Sequence, residues 1–226
     1  VGPKERKERE KAERRDEIIN AGEKLFLEKG LAGATMDEIA REVELSKGTL
    51  YLYFPSKEEL FLEITHRAIA TMLSMMRNAI ENEEGVLNRL EKFGEAHGRF
   101  AIEHPDHFQI LMRTTDYSLF RKPEFKELGH SILANQNEIW KMVTDIIRDG
   151  IDEGLFKADT DPLEVSISLW SISTMMMQMT AHVNINREML TEHNDPFLNV
   201  DFDSIIIKNC HRIIESILAK IPDGYE

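Results

Sequence analysis

The 226-residue sequence has one cysteine, Cys210, so it can form no internal disulfide and no CxxC redox or zinc pair. Cys210 sits in the apolar run SIIIKNCHRII, where a small buried hydrophobe is the expected role. No apolar stretch reaches the ~20 residues that a membrane-spanning helix needs. No signal peptide heads the sequence, and a cytoplasmic protein is expected. The P-loop, GxGxxG, HExxH and GxSxG patterns are all missing, so neither an enzyme nor a cofactor is expected. His104 and His107, with Asp106 between them, lack a clear third ligand, so no metal site is expected; Asp106 also suits a helix cap. Positive charge is scarce as well, the formal net charge being −13.

That deficit is unevenly spread. Residues 1–57 hold 12 basic and 12 acidic side chains, whereas the other 169 residues hold 16 basic and 29 acidic ones. Any polyanionic partner must therefore meet the neutral N-terminal segment, with the acidic bulk held away. The run KERKEREKAERR is nearly balanced in charge, which favours a solvated helix start over a basic arm.

Helical periodicity dominates what is present. Ile18, Ala21, Gly22, Leu25 and Phe26 share one face of a helix over 9–29, and Gly30 suits its end. Thr35 with Glu38 forms a capping box that opens a short helix, and Ser46 caps another that Pro55 ends. Ser56 with Glu59 is a second capping box, heading a long helix that Gly85 terminates. Further helices are expected at about 86–103, 105–116, 123–153, 162–182 and 202–219. Strand-type alternation persists nowhere, so the fold class is all-α. The last two helices are apolar on several faces, which a subunit interface would bury.

The stretch LSKGTLYLYFPSKEEL, residues 45–60, gathers the chemistry. Two short capped helices joined by a tight turn have the dimensions of a helix-turn-helix, whose second helix enters the DNA major groove. Ser46 and Gly48 let the backbone approach a duplex, Thr49 suits a base edge or thymine methyl, and Lys47 suits guanine or phosphate. Tyr51 and Tyr53 can reach phosphate through their hydroxyls, and Lys57 lies at a helix N-terminus that favours the same anion. Thr35, at the head of the preceding helix, completes the DNA-binding set. Alternatives stay open: Phe54 and Tyr51 also suit core anchors of the three-helix unit, and Lys57 a solvated charge.

Over residues 21–60, AGEKLFLEKGLAGATMDEIAREVELSKGTLYLYFPSKEEL, the sequence resembles the TetR (tetracycline-repressor-like) family of transcriptional regulators. Spacing, glycines, capping boxes and the Tyr-x-x-Phe-Pro-Ser-Lys run all agree with it. Leu52 departs from the pattern, standing where many members carry an aromatic or histidine that meets the DNA backbone. The resemblance implies an N-terminal three-helix helix-turn-helix DNA-binding unit, 1–57, joined to a helical effector-binding and dimerisation domain, 58–226. It further implies a homodimeric repressor that binds near-palindromic double-stranded DNA and is released by a small molecule. Methionine and aromatic side chains at helical spacing are candidates to line an apolar effector site: Met72, Met76, Phe100, Phe108, Met112, Trp140, Trp170 and Met176, together with Tyr117. His97 or Gln136 would add a polar contact, although residues of this kind also serve as plain core. Leu169, Ile172, Met176, Ile206, Cys210, Ile213 and Ile217 are the expected dimer surface. The competing class is a helical ligand-binding or scaffolding protein without sequence-specific DNA binding.

Overall fold

The structure, a computed structural model, describes residues 2–114 and 118–220. Their regular elements are helices α1 (Pro3–Gly33), α2 (Met36–Glu42), α3 (Lys47–Tyr53), α4 (Lys57–Ile80), α5 (Val86–Glu103), α6 (Pro105–Arg113), α7 (Lys126–Asp152), α8 (Pro162–Ile185), α9 (Arg187–Glu192) and α10 (Phe202–Ile217). Short 3-10 turns occur at Leu119–Arg121, Pro123–Phe125 and Pro196–Asn199. The all-α expectation holds among the described residues, where an isolated bridge between Phe156 and Leu218 is the sole extended pairing. The chain forms two compact units, residues 1–75 with 100–137 and residues 76–99 with 138–226, and the division falls within α4, α5 and α7.

In the first unit, the expected local signals are in place. Gly30 adopts φ 70°, a left-handed conformation that interrupts α1 near its end. Thr35 accepts from the Glu38 amide at 3.3 Å while Glu38 Oε2 accepts from the Thr35 amide at 3.1 Å, so both halves of the capping box form. At Ser56 the forward half is present, with the Glu59 amide donating to Ser56 Oγ at 3.1 Å. The core of this unit contains Ile18, Phe26, Ile39, Leu50, Phe54 and Leu60, with Ile110 of α6 packed among them. A Cβ on Gly22 would lie 2.8 Å from Leu60 Cδ2, which is how closely α1 approaches α4.

In the second unit, α8 packs along α10. Gly154 (φ 72°) closes α7 in a Schellman motif, the Leu155 amide donating to Gly150 O at 2.9 Å and the Gly154 amide to Ile151 O at 3.0 Å. The chain then pairs with the end of α10 through the Lys157 amide and Ile217 O at 2.8 Å. A small apolar cluster of Val183, Leu190 and Phe202 joins α8, α9 and α10.

Several bounds differ from expectation: α1 runs over Pro3–Gly33 rather than 9–29, α4 ends at Ile80 before Gly85, α8 extends to Ile185 and α10 stops at Ile217. The helix expected over 105–116 ends at Arg113, and Tyr117 lies outside the described residues. The helix expected from 123 opens as a 3-10 turn before α7 begins at Lys126. Helix α9 was not anticipated, because its six residues are too few for an apolar period to show.

Candidate nucleic-acid interface

The turn between α2 and α3 is built by backbone hydrogen bonds. The Leu45 amide donates to Ala40 O at 2.9 Å and the Glu44 amide to Arg41 O at 3.2 Å, the two bonds of a Schellman motif. Glu44 occupies its left-handed position at φ 53°, where glycine is the usual residue. Leu45 packs back on the core of the unit, fixing the angle at which α3 leaves the turn. Ser46 caps α3 by accepting from the Thr49 amide at 3.1 Å, and its hydroxyl lies 2.8 Å from Thr49 Oγ1.

Two apolar side chains pin α3 down: Leu50 and the following Phe54 are both fully buried. The Arg15 guanidinium lies over the Phe54 ring, 4.8 Å from its centroid. The opposite face is open. Lys47, Gly48, Tyr51 and Leu52 are exposed there, at the spacing that puts side chains on one side of a helix. Leu52 is 83% exposed, an unusual place for a leucine. A Cβ on Gly48 would meet nothing nearer than Ser46 Oγ at 4.0 Å, so its lack of side chain answers no crowding within the chain.

The eight expected DNA-binding residues are thus sorted into different settings. Ser46, Lys47, Gly48, Thr49 and Tyr51 gather at the N-terminal end and outer face of α3. Thr35 is exposed at the head of α2 and engaged in its capping box. Tyr53 is half-buried and packs against the core. Lys57 points at backbone: its ammonium donates to Ala32 O at 3.2 Å and Ala34 O at 3.1 Å, bracing the segment between α1 and α2. Lys47 pairs with Asp37 at 2.7 Å, which raises the ammonium pKa through hydrogen bonding and charge. The Asp37 partnership left no periodic trace in the sequence. Lys29 and Thr35 hold the Glu38 carboxyl down to about 2, keeping the capping carboxylate ionised.

Beside α1 in the same unit lies a polar cluster around the buried Glu23. Arg67 of α4 donates to Glu23 Oε2 and to Asn20 Oδ1, each at 2.8 Å, and His107 Nε2 of α6 faces Glu23 Oε1 at 3.4 Å. Burial raises the Glu23 pKa, and burial together with Arg67 and His104 lowers that of His107 to about 4. The His104 and His107 rings stack at 5.5 Å. Among the described residues no group of three His, Cys, Asp or Glu side chains converges as a cation site requires.

The ten effector candidates divide between the units. Met72, Phe100 and Phe108 are buried in the first, where Met112 and Gln136 are half-buried. In the second, Met76 and His97 are buried, and Trp140, Trp170 and Met176 are half-buried. Here the structure brings three of them together: His97 stacks on Trp170 at 4.1 Å and 15°, and Trp170 meets Trp140 at 5.3 Å. Met176 instead packs against the Val183–Leu190–Phe202 cluster. A separate cleft of about 160 Å³, lined by Thr180, Asn184, Arg187, Leu198 and Phe202 among others, contains none of the ten.

Of the expected dimer residues, Leu169, Ile172, Met176, Ile206, Cys210 and Ile213 are half-buried, and burial pushes the Cys210 thiol pKa up. Ile217 is buried within its own unit. Exposed apolar side chains outside that set, Leu163, Ile167, Met175 and Ile207, lie on the same two helices.

A capped, buried-anchor helix after a Schellman turn, with a small-residue head facing outward, defines a helix-turn-helix protein of the DNA-binding class. Residues 18–64 match the model of bacterial regulatory proteins of the tetR family. The HTH-type transcriptional repressor KstR2 of Mycobacterium tuberculosis is 29% identical over 149 residues, spanning 66% of this chain and 72% of that one. The HTH-type transcriptional activator FasR of Mycolicibacterium smegmatis is 35% identical over 105 residues, 46% of this chain and 48% of its own. The solved structure of the ketosteroid transcriptional regulator KstR2 of M. tuberculosis shares the fold, with TM-score 0.66, 22% identity, and coverage of 91% of this chain and 95% of that one. Residues 18–64 thus match the tetR family of bacterial regulatory proteins, and beyond them the likeness is one of fold.

Proposed function

We propose that the chain is a homodimeric, one-component repressor that binds near-palindromic operator DNA and is released by a small, largely apolar effector. The observation that carries this reading is the outer face of α3, where Lys47, Gly48, Tyr51 and Leu52 stand exposed over the buried Leu50 and Phe54. Each subunit places α3 in one of two successive major grooves about one helical turn apart, ~34–36 Å. Thr49 and Lys47 read base edges, Ser46 and Gly48 allow close approach, and Thr35, Tyr51 and Tyr53 reach phosphates. Leu52 supplies an apolar contact suited to a thymine methyl rather than a phosphate. Lys57 keeps one of its three donors for phosphate while the other two brace Ala32 and Ala34.

Residues 1–57 carry DNA binding in this reading and residues 58–226 carry effector binding and dimerisation. The dimer surface lies on α8 and α10, where exposed Ile167, Met175 and Ile207 accompany the half-buried Leu169, Ile172, Ile206, Cys210 and Ile213. Support for an apolar effector comes from the methionine-rich helices and from the ketosteroid regulator among the structural relatives. Ligand and DNA affinities are then coupled reciprocally, with α4 the connecting element.

The test is selection from random duplex DNA by the purified chain at near-physiological salt. Enrichment of a two-fold symmetric motif is expected. A folded, dimeric, ligand-stripped preparation that enriches nothing would overturn the reading and favour a helical ligand-binding protein without sequence-specific DNA binding.

A further inference from the structure

His97 is 3% exposed, and its two ring nitrogens have different surroundings. Nδ1 lies 3.3 Å from Ser173 Oγ. That hydroxyl itself donates to the Leu169 carbonyl at 2.9 Å, with the Trp170 carbonyl at 3.1 Å. A serine hydroxyl has one proton, and the shorter carbonyl contact takes it. Ser173 Oγ can then only accept, so the proton on the imidazole sits on Nδ1. Nε2 is left as a bare acceptor with no hydrogen-bond partner among the described residues. A buried nitrogen of this kind is costly unless something completes it. Apolar groups stand beside it: Trp170 covers the imidazole face, Trp140 follows it, and Met177 Cε lies 3.8 Å from where a Cβ on the adjacent Gly98 would stand.

We infer that His97 Nε2 is the polar anchor of the effector site, and that it takes an uncharged, flat, mostly apolar molecule through a hydrogen-bond donor such as a phenolic or enolic O–H or a ring N–H. The inference deepens the proposed function and rests on its effector-responsive reading. A bare imidazole nitrogen repels a carboxylate or carbonyl oxygen, since both present lone pairs. Burial also lowers the His97 pKa to about 4, so near neutral pH the ring offers no positive charge to an acid or a phosphate.

Both tryptophans of the chain belong to this stack, so their fluorescence reads the site directly in the full-length protein. The probes are β-naphthol, its methyl ether and β-naphthoate, titrated without DNA. One hydrogen bond separates the first two, so naphthol is expected to bind about tenfold more tightly than the ether. Naphthoate is expected to bind no better than the ether. The naphthol preference is expected to vanish in His97→Phe, which keeps the stack but removes the acceptor, and to shrink in Ser173→Ala, which frees the tautomer. Nitrogen NMR of the unmodified protein should show His97 protonated at Nδ1 and bare at Nε2, a readout that needs no variant. Equal binding of naphthol and ether, a preference for naphthoate, no binding of any probe, or a proton on Nε2 would each overturn the inference. Operator selection is measured separately, so a chain that selects a symmetric motif yet shows no naphthol preference loses only this inference. One that shows the preference but selects no DNA loses only the repressor reading.

Discussion

Helix α3 and helix α10 are both amphipathic, yet they are held in place by different means. Helix α3 has seven residues, a cap at Ser46, a Schellman turn before it and two fully buried anchors in Leu50 and Phe54. Helix α10 has sixteen residues and a cap at Asp201, but much of its apolar surface is half-buried or open, Ile207 being 57% exposed. The first has its position fixed within its own unit. The second has apolar surface left over for something else to cover. Apolar content alone therefore says little about what a helix contributes to the folded subunit; what matters is how much of that surface the subunit itself removes from water.

The sharpest way to break this comparison is the same truncation at both places. Leu50→Ala removes a fully buried side chain and should cost ~2–5 kcal/mol in denaturant unfolding. Ile207→Ala, more than half exposed, should change the stability of the isolated subunit by no more than ~0.5 kcal/mol. It should instead weaken self-association in sedimentation. Equal losses at the two sites, or unaltered self-association, would show that α10 is held as α3 is.

Two histidines, His97 buried and His107 half-buried, extend the contrast to pH. The His97 pKa falls from its ordinary 6.5 to about 4 because burial disfavours the charged ring. The unfolded chain therefore takes up this proton first, and stability is complete above pH 6.5 and drains away as the pH falls towards 4. The loss attributable to His97 is ~2–3 kcal/mol. Denaturant midpoints for wild type and His97→Phe across that window should diverge in slope, the variant being the flatter. Parallel curves would mean that the ring is hydrated. His107 titrates in the same direction, while the raised Glu23 opposes it, so only the difference between the two proteins isolates His97.

Lys57 tests a finer division between scaffold and interface. Its ammonium braces two carbonyls, and losing those bonds in Lys57→Ala should cost the chain ~1–2 kcal/mol. If the remaining donor also meets a phosphate, the slope of log affinity against log salt should flatten by about one unit for all DNA sequences. Lost stability with an unchanged slope would confine Lys57 to the brace.

Much of the first unit was legible because its signals are local. Thr35 with Glu38, Ser46 before α3, and Pro55 after it each act over a few residues, and the sequence states them directly. Gly30 was readable as a stop for the same reason, whereas Gly85, also at positive φ, heads α5 rather than ending α4, which stops at Ile80. What stayed hidden depends on approach through space. Lys57 turning to Ala32 and Ala34, Lys47 pairing with Asp37, and His97 stacking on Trp170 join residues that no period relates. Composition could suggest His97 and the tryptophans separately, but only packing could gather them and leave Met176 with another cluster.

Glu44 is the smallest test and bears on how the turn itself was chosen. Its φ of 53° places a branched backbone position where an L side chain crowds the carbonyl, a conformation that glycine takes freely. Neither Schellman hydrogen bond involves the Glu44 side chain, since both are made by the amides of Glu44 and Leu45. Glu44→Gly should therefore keep the turn and relieve the strain, with part of the gain offset by the greater freedom of glycine in the unfolded chain. A net stabilisation of ~0.5–1 kcal/mol is expected. Operator affinity should rise slightly with it, because an acidic side chain leaves the neighbourhood of a polyanion. A destabilised variant would show that the Glu44 side chain holds the turn through contacts of its own, and the turn would then owe its geometry to that side chain rather than to its backbone.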